Sequence, residues 1–575
     1  MFETLSDIQR KIVFEKKGKF VLRACPGSGK TYSVAARLAH NISNWRLEHQ
    51  GIATISFTNV AWQTIESQIV KHSDIRAPIS YPHFLGTIDS FINRFVFLPF
   101  GHLVMKCESR PVLVGEPHGT WTGGSFSEKF FDNISFSASG DPYAIKKRIM
   151  PENWQKNKYI LPAKNRLIKA GYANQEDANY FAMRILEEYP QVSKALALRF
   201  PMLIVDEAQD TSEIQMRIID QLIANGLSEV MLVGDPDQAI FEWNDAKPHL
   251  FNEKAQGWSE NSIILNENRR SSQNICNCTC RLSSLGETSI AIDDGVKDCD
   301  CLPGVSTYDS TNMPKLVEDF KARCNKHEIE IAPENVAVIY RSDSIFEAVS
   351  GIKAMAANEY PWHDDDPHCK GFARGKYLFD NGDFKRGFDL VLKAVVKKTN
   401  DFQYCSAEDV ENFVEKNGFI EVRKYVFRLV SLLPKTGCSI GVWVENANET
   451  LKQEHIGIEF KIKVSHGHLL LHDLFARDKK QTTEYRLGTI HSVKGETFEA
   501  VLVILKKKGL GKYYKTLLQQ KVSIQDSEEL RIVYVGITRP RKLLMLAVPD
   551  LENKSVWENK LISDTWTTEG SGERS

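Results

Sequence analysis

Ala24-Cys25-Pro26-Gly27-Ser28-Gly29-Lys30-Thr31 carries the strongest indication of fold in this chain. The apolar run at 20–22 precedes it and predicts a short buried strand, whereas the apolar residues at 34–38 suit a helix. A strand, a turn with two glycines, a Lys-Thr pair and a helix form the local context that a phosphate-binding loop requires. The sequence therefore predicts a nucleotide site in an α/β domain.

The chemistry of such a loop assigns a role to each of its main residues. Gly27 and Gly29 let backbone N–H groups turn towards phosphate oxygens, and the N-terminus of the helix adds partial positive charge. Lys30 is expected to reach the β- and γ-phosphates of ATP, and Thr31 to offer its hydroxyl to Mg²⁺. A plain glycine-containing turn before a helix stays open as the alternative, because Ala24 stands where the usual pattern has Gly.

A second apolar run, at 202–205, predicts another buried strand, and it ends in Asp206-Glu207-Ala208-Gln209-Asp210. A carboxylate at the C-terminal end of a parallel strand is well placed to hold magnesium. We expect Asp206 to be that Mg²⁺ partner, directly or through water, and Glu207 to orient and deprotonate the attacking water. The alternative is that this acidic pair only caps a helix.

A third apolar run, at 230–233, ends in Gly234-Asp235-Pro236-Asp237-Gln238. Gln238 is expected to contact the γ-phosphate or its water, although a polar turn after a core strand would look similar. Three apolar strands that each end in candidate phosphate chemistry predict an α/β core with its ligand at the C-terminal edge of a parallel sheet.

Further segments follow in a fixed order along the chain. Together with the three strand ends, they resemble the motifs of the UvrD/Rep (superfamily 1A) DNA helicases from residue 5 to about 545. They are Leu5-Ser6-Asp7-Ile8-Gln9, Ile55-Ser56-Phe57-Thr58-Asn59, Gly86-Thr87-Ile88-Asp89-Ser90-Phe91, Gly234 through Ala246, Leu265-Asn266-Glu267-Asn268-Arg269-Arg270-Ser271, Gly488-Thr489-Ile490-His491-Ser492-Val493-Lys494-Gly495-Glu496, and Glu528 through Arg539.

This resemblance implies two RecA-like parallel-sheet P-loop NTPase domains with mostly helical insertions, and an enzyme that uses ATP and Mg²⁺. Gln9 would read the adenine, and Glu496 would belong to the nucleotide site. Arg270 and Arg539 would reach across from the second RecA-like domain and stabilise the charge that develops on the γ-phosphoryl group. Asp526, followed by Glu529, is expected to cap the helix that leads to Arg539.

The resemblance also implies contacts to single-stranded or tailed DNA. Aromatic stacking holds any base without reading sequence, and core packing is the alternative role for such rings. The expected stacking residues are Phe57, Phe241 and Trp243. The residues expected in backbone-contacting or coupling motifs are Thr58, Asn59, Thr87, Thr489 and His491.

Four positions depart from the family pattern. Arg269 occupies the place of a tyrosine that stacks on adenine, and Tyr32 follows the loop threonine where Arg is frequent. Asp89 replaces a usual His, and Glu496-Thr497-Phe498 replaces Leu-Glu-Phe. We expect the ATPase chemistry to survive these changes.

The resemblance also predicts a division into subdomains. Residues 1–95 and 185–265 would form RecA-like domain 1A, with the insertion 1B at 96–184. Residues 266–345 and 486–550 would form domain 2A, with the insertion 2B at 346–485. The polar tail at 551–575 is expected to be disordered.

The amino-acid composition and charge of the chain indicate which classes of protein it resembles. The chain has 575 residues, 42% hydrophobic and 26% charged, with a formal net charge of −1, so any anion-binding surface must be a local groove. It has neither an apolar run long enough for a membrane span nor a secretory signal pattern, and we expect a cytoplasmic protein. Eleven cysteines in so long a chain fit a reducing compartment. Five of them, Cys276 to Cys301, have spacings that could hold a metal, but the first three fall in a predicted helix.

Two functions from different classes follow. The first is an ATP-dependent DNA translocase or helicase, for which the family implies 3′-to-5′ polarity. The second is a DNA-sensing ATPase subunit that unwinds little and regulates a partner nuclease. That second reading is similar to the helicase subunits of Gabija anti-phage systems, and it rests on the small size of the chain and the few residues after Arg539, where we expect no nuclease domain. An RNA track is a third possibility.

Overall fold

The structure is a computed structural model in which the chain divides into two compact units. It describes residues 2–75, 78–118, 121, 127–145, 149–155, 158–240, 246–308, 313–341, 343–350, 361–363, 366, 368–400, 405, 407–475, 484–506 and 514–562. One unit comprises residues 1–113, 133–345 and 484–575, and the other comprises residues 114–132 and 346–483.

Helices and strands alternate through the first part of the chain. Up to residue 113 they are α1 Asp7–Arg10, β1 Lys19–Ala24, α2 Lys30–Asn44, β2 Ile52–Ser56, α3 Asn59–His72, β3 Phe84–Thr87, α4 Ile88–Ile92, α5 Leu98–Met105 and β4 Val112–Leu113. From 134 to 199 they are β5 Ile134–Phe136, β6 Pro142–Ala144, α6 Glu152–Gln155, α7 Ile160–Lys169, β7 Tyr172–Ala173, α8 Gln175–Glu188 and α9 Pro190–Arg199.

The same alternation continues through the centre. From 202 to 265 the elements are β8 Met202–Asp206, α10 Glu213–Ala224, β9 Glu229–Gly234, α11 Pro248–Gly257 and β10 Ile263–Leu265. From 267 to 350 they are β11 Glu267–Asn268, α12 Gln273–Cys280, β12 Ile290–Ala291, β13 Gly304–Thr307, α13 Met313–Lys326, β14 Val336–Tyr340 and α14 Asp343–Ser350.

The second unit is helical over the described part of 346–483, and the last stretch of the chain returns to the α/β pattern. The helices of the second unit are α15 Cys369–Asp380, α16 Phe384–Asn400, α17 Ala407–Asn417, α18 Phe419–Leu432, α19 Ile440–Gln453 and α20 Leu471–Phe475. The last elements are β15 Arg486–Thr489, β16 Phe498–Ile504, α21 Tyr514–Gln519, α22 Glu528–Ile537, β17 Pro540–Val548 and α23 Leu551–Leu561.

Two parallel sheets organise the first unit. The first has six strands in the order β10-β1-β9-β8-β2-β3, and the second has five in the order β13-β17-β16-β14-β15. Every pairing in both sheets is parallel. The predicted α/β class is therefore confirmed, and all strands of each sheet present their C-terminal ends at one edge.

Burial explains why the central strands are continuous apolar runs. β1, β8 and β9 lie inside the first sheet and are covered by helices. Side chains on both faces of these strands are therefore buried, and each strand has an apolar run along its centre. Phe20 and Leu22 of β1 pack with Val34 and Leu38 of α2 in one fully buried cluster. This packing fixes the turn between β1 and α2 in space.

Two sequence expectations are corrected here. The predicted disordered tail begins instead with helix α23, because Asp550 caps it through the Asn553 N–H at 2.8 Å and Trp557 is fully buried in the core of the second sheet. Residues 563–575 lie outside the described residues. Helix α22 is capped by Ser527, whose hydroxyl accepts from the Leu530 N–H, and not by Asp526, which ends a preceding 3₁₀ turn.

Among the described residues, no helix combines the length and apolar character needed to cross a membrane.

Candidate nucleotide and nucleic-acid site

The turn between β1 and α2 is held by backbone contacts on both sides. The Cys25 N–H donates to the Leu265 carbonyl at 3.0 Å, and the Arg269 N–H donates to the Gly27 carbonyl at 2.9 Å. Gly27 and Gly29 have φ values of +74° and +79°, which favour glycine. A Cβ at Gly27 would also lie 2.6 Å from Arg270 Cβ, so this turn requires glycine for space as well as for conformation.

The turn fits a phosphate group on an independent observation. Helix α2 begins at Lys30, directly after the turn, and has no side-chain cap on its first N–H groups. The buried hydroxyl of Ser28 has no hydrogen-bond partner among the described residues. Free N–H donors at a helix N-terminus and an unsatisfied buried hydroxyl are the groups that a phosphate would satisfy. The sequence-predicted stretch Ala24 to Thr31 could therefore hold the triphosphate.

The C-terminal end of β8 brings two carboxylates to the same turn. Lys30 Nζ lies 2.9 Å from Glu207 Oε2, and the Thr31 hydroxyl donates to Asp206 Oδ2 at 3.4 Å. Glu207 has φ +54°, an unusual value for a non-glycine residue, and Gln209 Nε2 donates to its carboxylate at 2.6 Å. Residues from distant parts of the sequence thus meet at this edge of the sheet.

The pKa values of the two neighbouring carboxyl groups, Asp206 and Glu207, are shifted in opposite directions. Burial first and the neighbouring Glu207 second raise the pKa of Asp206 to about 7. Burial alone would also raise the pKa of Glu207, but Lys30 and then Lys494 lower it to about 2. Burial opposes the charge of Lys30, yet Glu207 and Asp206 raise its pKa overall. The site therefore contains a permanently ionised Glu207 beside a buried Asp206 that a divalent cation would ionise.

Gln238 connects this edge to the second sheet. Its Nε2 donates to Asp235 Oδ2 at 2.6 Å, and its Oε1 accepts from Arg539 Nη2 at 2.9 Å. Arg539 is 1% exposed and directly precedes β17 of the second sheet. Burial, and then the nearby Arg270, lower the pKa of Arg539 well below its ordinary value. Gln238 thus lies between the carboxylate edge of one sheet and a cation of the other.

Arg270 lies on the same side as Arg539. Its Nη1 donates to the Thr538 carbonyl at 3.0 Å, and its Cβ faces Gly27 across the turn. Asn268 shapes this segment, because its Oδ1 accepts from the N–H groups of Arg270 and Ser271 at 2.8 and 2.9 Å. Both predicted arginines therefore border the cleft between the two sheets.

Three residues with contacts across this cleft had no individual role in the sequence prediction. Lys494 Nζ lies 2.8 Å from Asp210 Oδ2, and the Arg531 Nε donates to the Ala239 carbonyl at 2.7 Å. Asp210 and Arg531 are almost fully buried. All three lie inside the motif segments, but sequence alone does not tell which members of a motif pair with each other.

The predicted adenine reader, Gln9, is buried beside the turn. It completes a capping box with Ser6, donates from Nε2 to the Ser33 hydroxyl at 3.1 Å, and accepts from Arg269 Nη2 at 3.1 Å. Arg269 is therefore placed beside Gln9, at the position where the family pattern has tyrosine. Glu496, by contrast, pairs with Arg486 at 3.3 Å, and within the described part of the chain no hydrogen bond or ion pair joins it to the loop.

The predicted DNA contacts lie at strand ends of both sheets. Phe57, Thr58 and Asn59 follow β2, while Thr87 ends β3 and Thr489 ends β15. Each threonine hydroxyl accepts from a backbone N–H of the next turn, at Ala61, Ser90 and Ser492 respectively. These hydroxyls therefore have a local capping role besides any contact with DNA.

The other predicted DNA contacts are Asn59, His491, Phe241 and Trp243. Asn59 Oδ1 accepts from Trp62 Nε1 at 3.0 Å. Burial, and then Arg341, lower the pKa of His491. Phe241 and Trp243 lie outside the described residues.

All eleven cysteines are free thiols. Cys276, Cys278 and Cys280 lie in α12, as predicted, while Cys299 and Cys301 lie in the loop before β13. The thiols of Cys299 and Cys301 and the Asp300 carboxylate lie within 4.8 Å of one another. Burial raises the pKa of the Cys25 thiol in the phosphate loop to about 12, so this thiol is unreactive at neutral pH.

A half-buried lysine and carboxylates at the ends of parallel strands, with Arg539 at the start of a second parallel sheet and Arg270 beside it, form a P-loop nucleotide site between two parallel sheets. Comparison with known proteins gives the particular family. The chain matches the UvrD/REP helicase N-terminal domain over residues 5–108 and 138–258, and the UvrD-like helicase C-terminal domain over residues 445–549. The chain belongs to the UvrD/Rep helicase family, whose domains have RecA-like P-loop folds.

Curated relatives agree over parts of their length. DNA helicase II of Haemophilus influenzae is 25% identical over 366 residues, which is 60% of this chain and 49% of that protein. An ATP-dependent helicase/nuclease subunit of Streptococcus pneumoniae (strain D39) is 41% identical over 108 residues, or 18% of this chain and 9% of that protein. Its counterpart in Streptococcus thermophilus is 35% identical over 174 residues, or 29% of this chain and 13% of that protein. The chain therefore spans at most about half the length of these relatives.

Proposed function

We propose that this protein is an ATP-dependent DNA translocase or helicase that moves on single-stranded DNA with 3′-to-5′ polarity. One observation carries the proposal: Lys30 and Glu207 on the first sheet face Arg539, which reaches Gln238 from the second sheet. Family membership adds support, because the relatives it matches include a DNA helicase. A site assembled from two sheets can couple the state of the nucleotide to the spacing of the domains.

In this proposal Lys30 exchanges its partner when ATP binds. Lys30 and Glu207 neutralise each other at 2.9 Å. A triphosphate offers Lys30 a stronger anion, which frees the Glu207 carboxylate to accept a proton from the attacking water. In the nucleotide-free site Lys30 and Lys494 lower the pKa of Glu207 to about 2, so this carboxylate is already ionised when ATP binds.

The metal and the transition state involve other residues. Thr31 and Asp206 would hold Mg²⁺, which neutralises charge on the β- and γ-phosphates. Arg270 and Arg539 supply positive charge that stabilises the negative charge developing on the γ-phosphoryl group. Gln238 orients the attacking water. Gln9 and Arg269 contact the adenine, and the loop from Ala24 to Thr31 contacts the phosphates.

We extend the proposal to the organisation of the chain. Residues 1–95 and 185–265 form domain 1A, and residues 266–345 and 486–550 form domain 2A. The insertions 1B and 2B occupy 96–184 and 346–485. The strand ends that carry Phe57, Thr58, Asn59, Thr87, Thr489 and His491, together with Phe241 and Trp243, form the DNA path, and the protein works in the cytoplasm.

The decisive experiment measures ATP hydrolysis by the purified protein with and without oligo(dT). We expect stimulation by DNA in the wild type and a loss of turnover of about 10²–10⁴-fold in Glu207→Gln, since a general base is removed. The control is Glu213→Gln, which alters a half-exposed carboxylate paired with Arg217 and should hydrolyse ATP normally. Turnover in Glu207→Gln equal to the wild type would contradict the proposed site.

The direction of movement and the choice between DNA and RNA are tested with different substrates. Duplexes with a 3′ tail, a 5′ tail or an RNA tail should be unwound only in the first case. Activity confined to duplexes with 5′ tails would contradict the proposed polarity. Stronger stimulation of ATP hydrolysis by RNA than by DNA would indicate that the protein moves on RNA.

A second function is a DNA-sensing ATPase that unwinds little and regulates a partner nuclease, as in an anti-phage defence complex. It is favoured by the relatives whose names describe a helicase/nuclease subunit. Its signature would be DNA-stimulated hydrolysis without strand displacement on any tailed duplex, together with an adjacent gene for a nuclease. Efficient unwinding by the isolated protein would count against it.

A further inference from the structure

A groove of about 980 Å³ lies on the second compact unit, between helices that the nucleotide site does not use. Helix α16 packs against α15 and α18, and the groove follows this packing. Four rings line it, namely Phe379, Phe384, Phe388 and Phe427. Phe384 and Phe388 are one helical turn apart on α16, so both face the groove.

The apolar surface in and beside this groove is unusually exposed. Phe384 is 60% exposed and Phe427 is 56% exposed, and Phe419 and Ile420 at the start of α18 are 61% and 64% exposed. Single exposed apolar side chains are common, but a contiguous patch of aromatic rings on a soluble protein marks a binding surface.

The charges at the groove are mainly positive. Lys385 and Arg423 line it and form no ion pair among the described residues, whereas Lys424 and Arg428 also line it and pair with Glu421 and Glu454. Asp389 is the one acidic residue in the described lining. A ligand with carboxylates would therefore find two cations that no carboxylate in the described residues neutralises.

The geometry argues against a base-stacking platform. Phe379 meets Phe384 edge to face at 5.0 Å and Phe427 at 6.1 Å, so the rings already pack on each other. The Arg423 guanidinium covers Phe388 and Phe419, each at 5.2 Å. Nucleic-acid sites that stack bases need open ring faces, and Asp389 would repel a phosphate backbone.

An α-helix matches the shape better. The walls are themselves helices, and α18 offers 14 residues, or about 21 Å, of wall. A helical ligand would place apolar side chains at i, i+3, i+4 and i+7 against the exposed surface of the phenylalanines, with its acidic residues on the flanks. We propose that this groove binds an acidic amphipathic helix of a partner protein.

The test measures fluorescence anisotropy of labelled peptides with the full chain. The probes are three helical peptides of the length of α18, with Leu, Phe or Trp as the apolar anchors and Glu on the flanks. A version with Lys in place of Glu and a scrambled version control for charge and for amphipathicity, and oligo(dT) tests the nucleic-acid alternative. We expect saturable binding of at least one acidic peptide and of neither control.

Point substitutions locate the binding. Arg423→Glu and Phe427→Ser should each weaken binding at least about tenfold, since they remove a cation and an exposed ring from the groove lining. The matched controls Lys452→Glu and Val464→Ser alter exposed residues of the same unit outside the groove lining and should bind like the wild type. Unchanged unfolding temperatures verify that each variant is folded.

Three outcomes would overturn the proposal. They are the absence of binding by every acidic peptide, equal binding by the Lys version, and binding that both groove variants leave unchanged. Loss of oligo(dT) binding in Arg423→Glu and Phe427→Ser, without an effect on peptides, would assign the groove to nucleic acid.

Discussion

Arg539 Nη2 donates a hydrogen bond to Gln238 Oε1 over 2.9 Å, and the two residues lie next to strands of different parallel sheets. Gln238 follows β9 of the first sheet, and Arg539 precedes β17 of the second. Because Gln238 also donates to Asp235, a continuous hydrogen-bonded path leads from Arg539 to the carboxylate edge of the first sheet. Both residues are buried, so the bond is shielded from competing water.

The first prediction concerns Arg539. Arg539→Ala should reduce ATP turnover by about 10³-fold or more, because it removes a cation from the transferring phosphoryl group. Arg539→Lys should restore little of this loss, since an ammonium cannot reproduce the planar fork that reaches Val535 and Gln238. The measurement is steady-state hydrolysis with saturating DNA. Arg541→Ala, two residues on and half-buried, is the control, and a similar loss there would deny Arg539 a specific role.

The second prediction concerns the turn at Gly27. A Cβ there would lie 2.6 Å from Arg270 Cβ and 2.8 Å from Asn268 Oδ1, so Gly27→Ala must push these groups away. We expect ATP affinity to fall at least about tenfold, as the turn and Arg270 can no longer approach each other. A fluorescent ATP analogue measures this affinity.

Gly226→Ala serves as the control for Gly27→Ala. Gly226 also has a positive φ, +114°, but no atom lies within 4 Å of its added Cβ. Gly226→Ala therefore carries backbone strain, because L side chains rarely adopt this φ, without the clash. If both variants bound ATP equally weakly, the loss would reflect a general disturbance of the fold and not crowding at Gly27.

The third prediction is a pH dependence of stability. Burial, and then Asp237, raise the pKa of Asp235 to about 7. A carboxyl group in an unfolded chain has a pKa of about 4. Unfolding therefore releases a proton between these values, and the folded state loses stability as the pH rises from about 4 to 7.

The pH dependence can be measured on the nucleotide-free protein in EDTA. Asp235→Asn should flatten the fall in unfolding temperature between pH 5 and 8, and should be more stable than the wild type at pH 8. Asp294→Asn is the control, because Lys297 lowers the pKa of this exposed aspartate below that window. A steeper profile in Asp235→Asn than in the wild type would contradict the assignment.

The fourth prediction concerns a buried ion pair away from the nucleotide site. Lys164 and Asp177 are in direct contact and almost fully buried, and Lys164 also donates to the Ile134 carbonyl at 2.7 Å. Lys164→Met leaves a buried carboxylate without its cation and should cost about 3–5 kcal/mol of unfolding free energy. Urea unfolding measures the cost. Lys169→Met on the exposed face of the same helix should cost little, and equal costs would show that the pair is unimportant.

Local chemistry made much of the site predictable. The strand before the turn, the two glycines, Lys30 and Thr31 are consecutive, so their spacing alone predicts a phosphate loop at the C-terminal end of β1. The acidic residues at the ends of β8 and β9 were also predictable, because they directly follow apolar strands in the sequence. The capping of α22 and the helix α23 were predicted wrongly, since Ser527 and Asp526 are both good caps and the burial of Trp557 depends on a core that the sequence does not display.

The α/β class could be predicted from the amino-acid sequence, because an apolar strand followed by candidate phosphate-binding residues is a local pattern that occurs three times. The contacts between distant motifs became known only from the folded structure. The pairs Lys30–Glu207, Gln238–Arg539 and Asp210–Lys494 each join motifs more than 150 residues apart. Such pairings depend on the order of strands in two sheets and on the packing of one sheet edge against another, and these are properties of the folded chain as a whole.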